Sequence, residues 1–345
     1  MRQEMAILLD SFRLLLARKL FWVSLSISGL VALAYASIGF TEAGMSFGFG
    51  MWDWENPIIR EGTPAAETFY LLLFSDVIVR FWLAWFAVLL ALVSCASIFP
   101  EFLKSGSVDL FLSKPIGRTR LFLWKYLGSL LFVAVQVLLF SVIAFLAIGV
   151  RLGDWNFSVF WAVPLVTFVF SLVYCVAVLI GVTTRSTLFA LLGAIMFWGL
   201  TWMVQFTEDA LYQNAYMLPE MGMEMDVSKG GFRASDQEPG EGMLAQAHGV
   251  IKAVAVPLPK TRDTTMFLKR LIRFKSGGED SDREGGDLGL LAAGDDLLPE
   301  EKAKLEEIQK EYQYRHSTAY VIWTSAGFEF LVLALAAGWF ARRDY

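Results

Sequence analysis

Few residues of this 345-residue chain have types and spacings that could perform chemistry. The segment Gly44-Met45-Ser46-Phe47-Gly48 has the spacing of a nucleophile elbow, in which a serine on a sharp strand-to-helix turn attacks a carbonyl. That motif requires a preceding strand, a histidine and an acid, whereas this serine follows a long apolar helical pattern. We therefore interpret Gly44–Trp54 as a flexible interfacial turn, with Trp52 and Trp54 at the level of the lipid headgroups.

Sulfur and imidazole groups give little support for a metal or disulfide site, and we predict neither. Cys95 and Cys175 lie in apolar runs and are interpreted as small hydrophobic residues. The only histidines, His248 and His316, have no cysteine near them, which disfavours tetrahedral zinc. One stretch is rich in methionine, whose thioether suits Cu(I) but also makes adaptable apolar contacts beside a membrane. Its methionines are Met217, Met221, Met223 and Met225.

The composition instead predicts a membrane protein. Hydrophobic residues make up 56% of the chain and charged residues only 18%, and the mean hydropathy is +0.52. Six stretches are apolar over the roughly 20 residues that a helix needs to cross a bilayer core. They are residues 20–40, 77–99, 121–150, 157–182, 186–206 and 319–341. The predicted fold is therefore an all-α integral membrane protein with six transmembrane helices.

The distribution of charge predicts how these helices are oriented. Of the 63 charged residues, 35 fall within residues 207–317, which we predict to be a large extracytoplasmic insertion between helices 5 and 6. In the remaining connections and tails, 11 lysines and arginines lie on one side of the membrane and 2 on the other. Because short cytoplasmic segments carry the excess of basic residues, both termini are predicted to be cytoplasmic. The chain then divides into a permease region over 1–206, the insertion, and a sixth span with its tail over 318–345.

The tail before the first span has apolar residues at helical spacing. These residues are Met5, Leu8, Phe12, Leu15 and Leu16. The pattern predicts an amphipathic helix that lies in the cytoplasmic interface, or alternatively a simple basic anchor.

The sixth predicted span contains a carboxylate, Glu329, near its middle. A carboxylate at that depth is costly unless it is protonated, paired or hydrated. We predict a gating or substrate-path residue, or alternatively a structural ion pair or a neutral, hydrogen-bonded acid. Arg80 in the second span is the candidate partner, although Asp76 could pair with that arginine instead.

The connection between the second and third spans, residues 100–120, carries the most specific pattern. Ser113-Lys114-Pro115 forces a break, because the residue before a proline avoids helical geometry. The connection is predicted to hold a short amphipathic helix over 101–112, a turn, and a basic re-entry into the bilayer. The helix would contact a protein groove or the lipid interface. Its apolar residues, unusual for a cytoplasmic loop, are Phe102, Leu103, Leu110 and Phe111.

These residues resemble the permease subunits of type-two ATP-binding-cassette exporters, in particular the branch of nitrous-oxide-reductase maturation and gliding-motility permeases. That family has an acidic residue, a Gly-Ser/Thr pair, a Leu-rich stretch, Ser-x-Pro-Ile-x-Arg, and Lys-x-x-Gly at the next span. The matching segments are Glu101, Gly106-Ser107, Leu110–Leu112, Ser113–Arg118, Lys125–Gly128 and the basic tail Ala341–Tyr345. The resemblance covers residues 1–206 and 318–345 and does not extend to the insertion.

The resemblance implies a transporter of two permease and two ATPase subunits in a bacterial inner membrane. The coupling residues that it implies are Glu101, Gly106, Asp109, Lys114, Pro115 and Arg118. ATP and Mg²⁺ would be bound by the separate ATPase, because a P-loop needs Gly-Lys and this dipeptide never occurs in the chain. We expect no catalysis and no cofactor in the chain itself. The expected partners are the ATPase, a second permease copy and membrane lipid, with no nucleic acid.

The insertion has three parts with different patterns. Residues 208–249 are acidic and glycine-rich and are predicted to be irregular. Residues 267–274 predict a basic amphipathic helix that lies on the outer leaflet or packs onto a small external domain. An acidic linker over 276–296 then precedes a polar helix over 299–316.

The leading hypothesis is an export permease driven by a separate ATPase, with an unidentified substrate. The alternative is a membrane scaffold or assembly factor whose extracytoplasmic insertion binds a protein partner. An ATP-independent transporter or channel would favour broken helices or several mid-membrane charges, and only Glu329 has that character. An intramembrane hydrolase is disfavoured because both histidines lie outside the predicted spans.

Overall fold

The computed structural model describes residues 19–103, 117–220, 223–226, 231–234, 238–271 and 315–342. These residues are mostly helical, and six helices among them are long and apolar enough to cross a membrane, as predicted. We name them spans 1 to 6: Lys19–Ala36, Pro64–Phe102, Arg118–Leu152, Phe157–Thr184, Thr187–Glu220 and Thr318–Arg342. The predicted N-terminal interfacial helix, the linker at 276–296 and residues 299–314 of the predicted polar helix lie outside the described residues, as does the part of the 100–120 connection between 104 and 116.

The chain forms two compact units. The first unit comprises residues 1–194, 265–288 and 332–345, and so contains spans 1 to 4 with the first part of span 5 and the last part of span 6. The second unit comprises residues 195–264 and 289–331, and contains the rest of spans 5 and 6 together with the helix Met243–Ala255.

Span 4 forms the centre of the first unit. In the most apolar 18-residue stretch of span 4, 67% of the residues are buried, whereas the corresponding share in span 1 is 28%. The spans are joined by side-chain hydrogen bonds as well as by apolar packing: the Gln136 amide donates to Ser28 Oγ at 2.9 Å, and the Tyr126 hydroxyl donates to the Ser171 carbonyl at 3.1 Å. Such contacts matter inside a bilayer because lipid tails offer polar groups no partner.

Span 2 begins earlier than its apolar pattern predicts. Its first helical residue is Pro64, and Thr63 caps the helix by accepting the Ala66 N–H on its hydroxyl at 3.3 Å. A proline at the first position costs no hydrogen bond, since that N–H has no helical acceptor. The helix therefore contains the predicted apolar stretch 77–99 and begins before it, at Pro64. Residues Leu73–Phe86 of this span, which include Arg80, are π-helical.

The aromatic stretch after span 1 is a small antiparallel sheet rather than the predicted flexible turn. Its strands are β1 (Gly39–Thr41), β2 (Gly44–Phe47) and β3 (Trp52–Glu55), paired in the order β1-β2-β3. The β2–β3 register places Met45 opposite Trp54 and Phe47 opposite Trp52. Gly48 and Gly50 adopt the positive φ angles of the connecting turn. The Trp52 and Trp54 side chains are 67% and 66% exposed, and their position at the headgroups stays a prediction.

The second unit contains helices where the sequence predicts irregular structure. Span 5 stays helical through Tyr212 and, after a π-helical turn, to Glu220, because residues 200–217 contain no proline or glycine. The helix Met243–Ala255 follows, so the prediction of irregular structure over 208–249 is wrong at both ends. Between these helices, strand β4 (Met223–Asp226) pairs with strand β5 (Gly231–Ala234).

The predicted amphipathic helix at 267–274 belongs to a helix that begins earlier, Thr261–Leu271. The side chains of Phe267 and Leu268 are buried, which favours the packed alternative over a helix lying exposed on the outer leaflet. Residues 272–274 lie outside the described residues.

At Gly44 the sheet leaves no room for a side chain. Its φ is +156°, and a Cβ added there would lie 2.2 Å from the Trp54 carbonyl oxygen and 2.4 Å from the Asn56 nitrogen. Because both atoms belong to the backbone, Gly44→Ala should separate β2 from β3. We expect the free energy of unfolding to fall by roughly 1–3 kcal/mol.

Gly50→Ala is the matched control, since Gly50 also has a positive φ but a Cβ there meets nothing within 4 Å. The two buried cysteines, Cys95 and Cys175, allow unfolding of the detergent-solubilised protein to be followed with a thiol-reactive fluorogenic dye. Equal melting temperatures for the two variants would show that the backbone contact at Gly44 is unimportant.

Candidate functional site

Two of the six predicted coupling residues lie in the described part of the chain, one at each border of the 100–120 connection. Glu101 is exposed on the helix Ile98–Phe102 that ends span 2, and Arg118 is the first residue of span 3. The other four, Gly106, Asp109, Lys114 and Pro115, lie outside the described residues. Their coupling role stays a prediction.

The two borders of the connection are packed together by four phenylalanines, which we call the loop-border cluster: Phe99, Phe102, Phe122 and Phe340. Ring centroids lie 5.0 Å apart for Phe99 and Phe122, and 5.8 Å apart for Phe122 and Phe340. Phe102 lies 6.1 Å from Phe340. These distances are those of favourable aromatic pairs, so span 2, span 3 and the end of span 6 meet in one contact.

Two basic side chains extend this contact. Arg118 Nη1 donates to the carbonyl oxygen of Ala341 at 3.2 Å, which places a cation at the C-terminal end of span 6, where the helix dipole favours positive charge. The Lys125 ammonium lies 5.3 Å from the centroid of the Phe102 ring, within the range of a cation–π interaction. In the sequence, Lys125 is recognisable only as part of the pattern Lys125–Gly128.

The two predicted intramembrane polar residues occupy different surroundings. Glu329 is half-buried on span 6, and Arg80 is exposed on the π-helical segment of span 2. Their pairing, and a role for Glu329 in gating, stay predictions.

The second unit contains an ion-pair cluster that the sequence analysis did not predict. Its members are Glu208, Asp209, His248, Lys260, Arg262, Asp263, Arg315 and His316. Arg315 Nη2 bridges the two acids that follow one another on span 5, at 2.7 Å from Glu208 Oε2 and 3.0 Å from Asp209 Oδ1. Arg262 Nε lies 3.1 Å from the second oxygen of Asp209. Such charge-assisted contacts are the strongest of ordinary hydrogen bonds.

Both histidines of the chain belong to this cluster, and each contacts a carboxylate. His248 Nε2 lies 3.0 Å from Glu208 Oε1, and His316 Nδ1 lies 3.0 Å from Asp263 Oδ2. Aromatic rings enclose the first pair: His248 is edge-on to Tyr212 and Tyr216. The Arg315 guanidinium lies 4.3 Å from the centroid of the Tyr212 ring. The rings limit access of water to the charges, which strengthens their attraction.

Lys260 adds a third cation to the three carboxylates. Its ammonium donates to the Ala255 carbonyl, and its backbone N–H donates to Ser325 Oγ at 2.9 Å. Burial lowers the pKa of Lys260, while the carboxylates of Asp263 and Glu208 act in the opposite direction. Three acids and three bases therefore balance in this cluster when the histidines are neutral.

The described residues contain no group of three histidine, cysteine or acidic residues arranged to hold a metal ion. The contacts of the ion-pair cluster join the polar extension of span 5, the helix Met243–Ala255, residues 260–263 and the segment that enters span 6. Two features of the sequence could have indicated the ion-pair cluster. They are the doublet Glu208-Asp209 after an apolar run and the position of both histidines between residues 207 and 317.

This arrangement predicts the effect of Arg315→Met. The substitution keeps an unbranched apolar stem but removes the guanidinium, and so leaves Glu208 and Asp209 buried without the cation that bridges them. Removing one partner of a buried ion pair typically costs about 3–5 kcal/mol, so the melting temperature should fall markedly.

The control is Arg60→Met, because Arg60 is exposed. Adding Glu208→Gln and Asp209→Asn to the Arg315→Met variant should restore part of the loss, since the uncompensated charges are removed. If the triple variant is no more stable than Arg315→Met, the carboxylates are not what Arg315 stabilises.

Comparison with known proteins identifies the family. Residues 5–218 match the family model described as ABC-2 family transporter protein. The match covers more than half of the chain and includes spans 1 to 4, the whole 100–120 connection and span 5 as far as residue 218. No curated protein matches the chain. The chain is therefore an integral membrane protein that belongs to the ABC-2 transporter family, as a membrane permease component of an ABC transporter.

Proposed function

We propose that this chain is the permease of an ATP-driven exporter and that residues 100–120 dock on a separate ATPase. Both termini and this connection face the cytoplasm, and the 207–317 insertion lies outside. The branch of nitrous-oxide-reductase maturation and gliding-motility permeases remains the nearest resemblance in the sequence pattern. The exported substrate is unidentified.

The loop-border cluster is the observation that carries this proposal. Phe99 precedes the connection, Phe102 lies near its start and Phe122 follows it, and the rings of Phe102 and Phe122 both lie against Phe340 of span 6. Displacement of the connection by an ATPase would therefore reach spans 2, 3 and 6 together, because close-packed side chains transmit movement. A connection that merely lay on the lipid would not require such ties between its borders.

ATP and Mg²⁺ belong to the partner subunit in this proposal. The permease family implies an ATPase partner, and the Gly-Lys dipeptide of a P-loop is missing from the sequence. This chain therefore supplies the translocation path and the contact with the ATPase, while the ATPase supplies ATP hydrolysis.

A second permease copy is the further expected partner. Spans 1, 5 and 6 have only 28%, 22% and 28% of their most apolar windows buried, whereas spans 2, 3 and 4 have 50%, 50% and 67%. The exposed apolar faces of the less buried spans are suited to lipid and to a second copy. In a dimer of this kind the path for the substrate runs between the copies.

Orientation gives a prediction that needs no knowledge of the substrate. Asp53 on β3 and Thr119 at the start of span 3 are both exposed, and the two native cysteines are buried. In intact cells, a membrane-impermeant maleimide should label Asp53→Cys and leave Thr119→Cys unlabelled. The reason is that 11 of the 13 lysines and arginines in the short connections and tails lie on the same side as the 100–120 connection, which predicts that this side is cytoplasmic.

Permeabilised cells provide the control, since Thr119→Cys should then react. Labelling of Thr119→Cys in intact cells would place the connection outside and would exclude docking on a cytoplasmic ATPase.

The docking itself is tested by co-purification with the ATPase encoded beside this gene. Lys114→Glu reverses a charge in the connection and should reduce recovery of the ATPase by about tenfold, which corresponds to ~1.4 kcal/mol of binding free energy. Arg60→Glu, which reverses an exposed charge in another connection, should leave recovery unchanged.

The scaffold alternative makes the opposite prediction. If Lys114→Glu leaves ATPase recovery and function intact while an internal deletion of residues 276–296 abolishes function, the insertion and not the 100–120 connection carries the activity.

A further inference from the structure

The helix Met243–Ala255 has two faces with apolar side chains, one buried and one exposed. His248 is buried and contacts span 5, whereas the side chains of Met243, Val250 and Val254 are 86%, 66% and 50% exposed. These three residues are seven and four positions apart, so they lie on one side of the helix. We call the exposed row formed by Met243, Val250 and Val254 the Val250 stripe.

The charge of this helix suits a phospholipid surface. The helix contains no acidic residue, and its one charged residue is Lys252. Lys252 is exposed on the side opposite to Val250, because two residues correspond to a rotation of about 200°. Without carboxylates, the helix is not repelled by negatively charged phosphate headgroups. An apolar stripe and a lysine on different sides are typical of a helix that lies in a membrane interface.

The contact of His248 with span 5 places the helix at the edge of the apolar part of that span. His248 Nε2 lies 3.0 Å from Glu208 Oε1. The Glu208 backbone is only about 3 Å further along the helix axis than that of Phe206, because the rise is about 1.5 Å per residue. Phe206 ends a row of exposed apolar side chains on span 5, which are Met196, Leu200, Met203 and Phe206.

The segment that follows the helix reaches further along spans 5 and 6. The Gln205 amide donates to the Pro259 carbonyl, and Gln205 Oε1 accepts the Arg262 N–H at 3.0 Å. The backbone N–H of Lys260 donates to Ser325 Oγ at 2.9 Å. Gln205 and Ser325 both lie inside helices that are long and apolar enough to cross a membrane. The helix and the segment after it therefore lie at the boundary of the bilayer and not far above it.

We propose that the Val250 stripe is a lipid-docking surface that contacts phospholipid in the leaflet nearest the C-terminal end of span 5. The stripe lies beside the exposed apolar row of span 5, so lipid that covers this row also reaches the stripe. Three side chains on a short helix are too few for a stable protein interface, which buries on the order of 800 Å² per partner. Lipid has no such minimum area. Through His248, this contact holds the ion-pair cluster at the membrane surface.

The test uses the full-length chain in lipid nanodiscs, with a single cysteine labelled by an environment-sensitive fluorophore. Lipids with brominated acyl chains quench only fluorophores that touch them. They should reduce the emission of labelled Val250→Cys and Val254→Cys by about twofold. Lys252→Cys, on the opposite side of the same helix, is the matched control and should change little. The unmodified chain gives the background, since its cysteines, Cys95 and Cys175, are buried.

The other occupants of the stripe give different results. Blue-shifted emission at Val250→Cys that brominated lipids do not quench would mean that protein covers the stripe, and it overturns the proposal. Quenching by aqueous iodide without quenching by brominated lipids also overturns it, as does equal quenching at Val250→Cys and Lys252→Cys. If Val250→Cys does not assemble, the same measurement at Val254→Cys decides. None of these measurements involves the ATPase, so the proposed function stands or fails separately.

Discussion

A bilayer offers polar groups almost no partners, and this constraint shapes the part of the chain that spans the membrane. Backbone groups are satisfied within helices, and several polar side chains are satisfied between them. The amide of Gln136 bonds to Ser28 of span 1, and the hydroxyl of Tyr126 bonds to a carbonyl of span 4. Lys125, the cation buried in span 3, lies over the ring of Phe102. Of these contacts, the one between Lys125 and Phe102 also reaches the 100–120 segment.

The loop-border cluster has a consequence for how an ABC-2 permease can work. A long connection between two spans can move independently only if its ends are loosely held. Here the ends are held by rings from three spans and by the bond from Arg118 to the Ala341 carbonyl. In the function proposed above, these ties at its two ends are what would pass a displacement of the connection on to the helices.

In the second unit, the buried groups that need partners are acidic side chains. A chain that leaves span 5 with two adjacent acids must compensate them, and Arg315 and Arg262 do so together with His248. The contacts join the C-terminal part of span 5 to residues just before span 6, so they hold together the two ends of the long segment between these spans. Desolvation offsets much of the attraction in buried ion pairs of this kind, so their net contribution to stability is small even though the loss of one partner is costly.

Local sequence patterns predicted the features that depend on neighbouring residues. Each span contains a run of about 20 apolar residues, so hydropathy found the six that the described part of the chain contains. The missing Gly-Lys dipeptide and the pattern Ser113–Arg118 are likewise local, and the family match agrees with the resemblance that they indicate. Hydropathy failed where helix ends depend on capping or on compensation elsewhere. Span 2 begins at Pro64, where Thr63 caps it, and span 5 continues past residue 206, where its acids are compensated by cations far along the chain.

The remaining features required the tertiary structure, because their partners are far apart in the sequence. Glu208 is 40 residues from His248 and 107 from Arg315, and no periodicity relates residues at such separations. The strands after span 1 form because glycine turns let Met45 and Trp54 face each other, which a hydropathy pattern cannot express. The sequence by itself determined that this chain spans a membrane and belongs with transport permeases. Only the three-dimensional arrangement decided which buried charges meet, because ion pairing depends on distance in space and not on position in the chain.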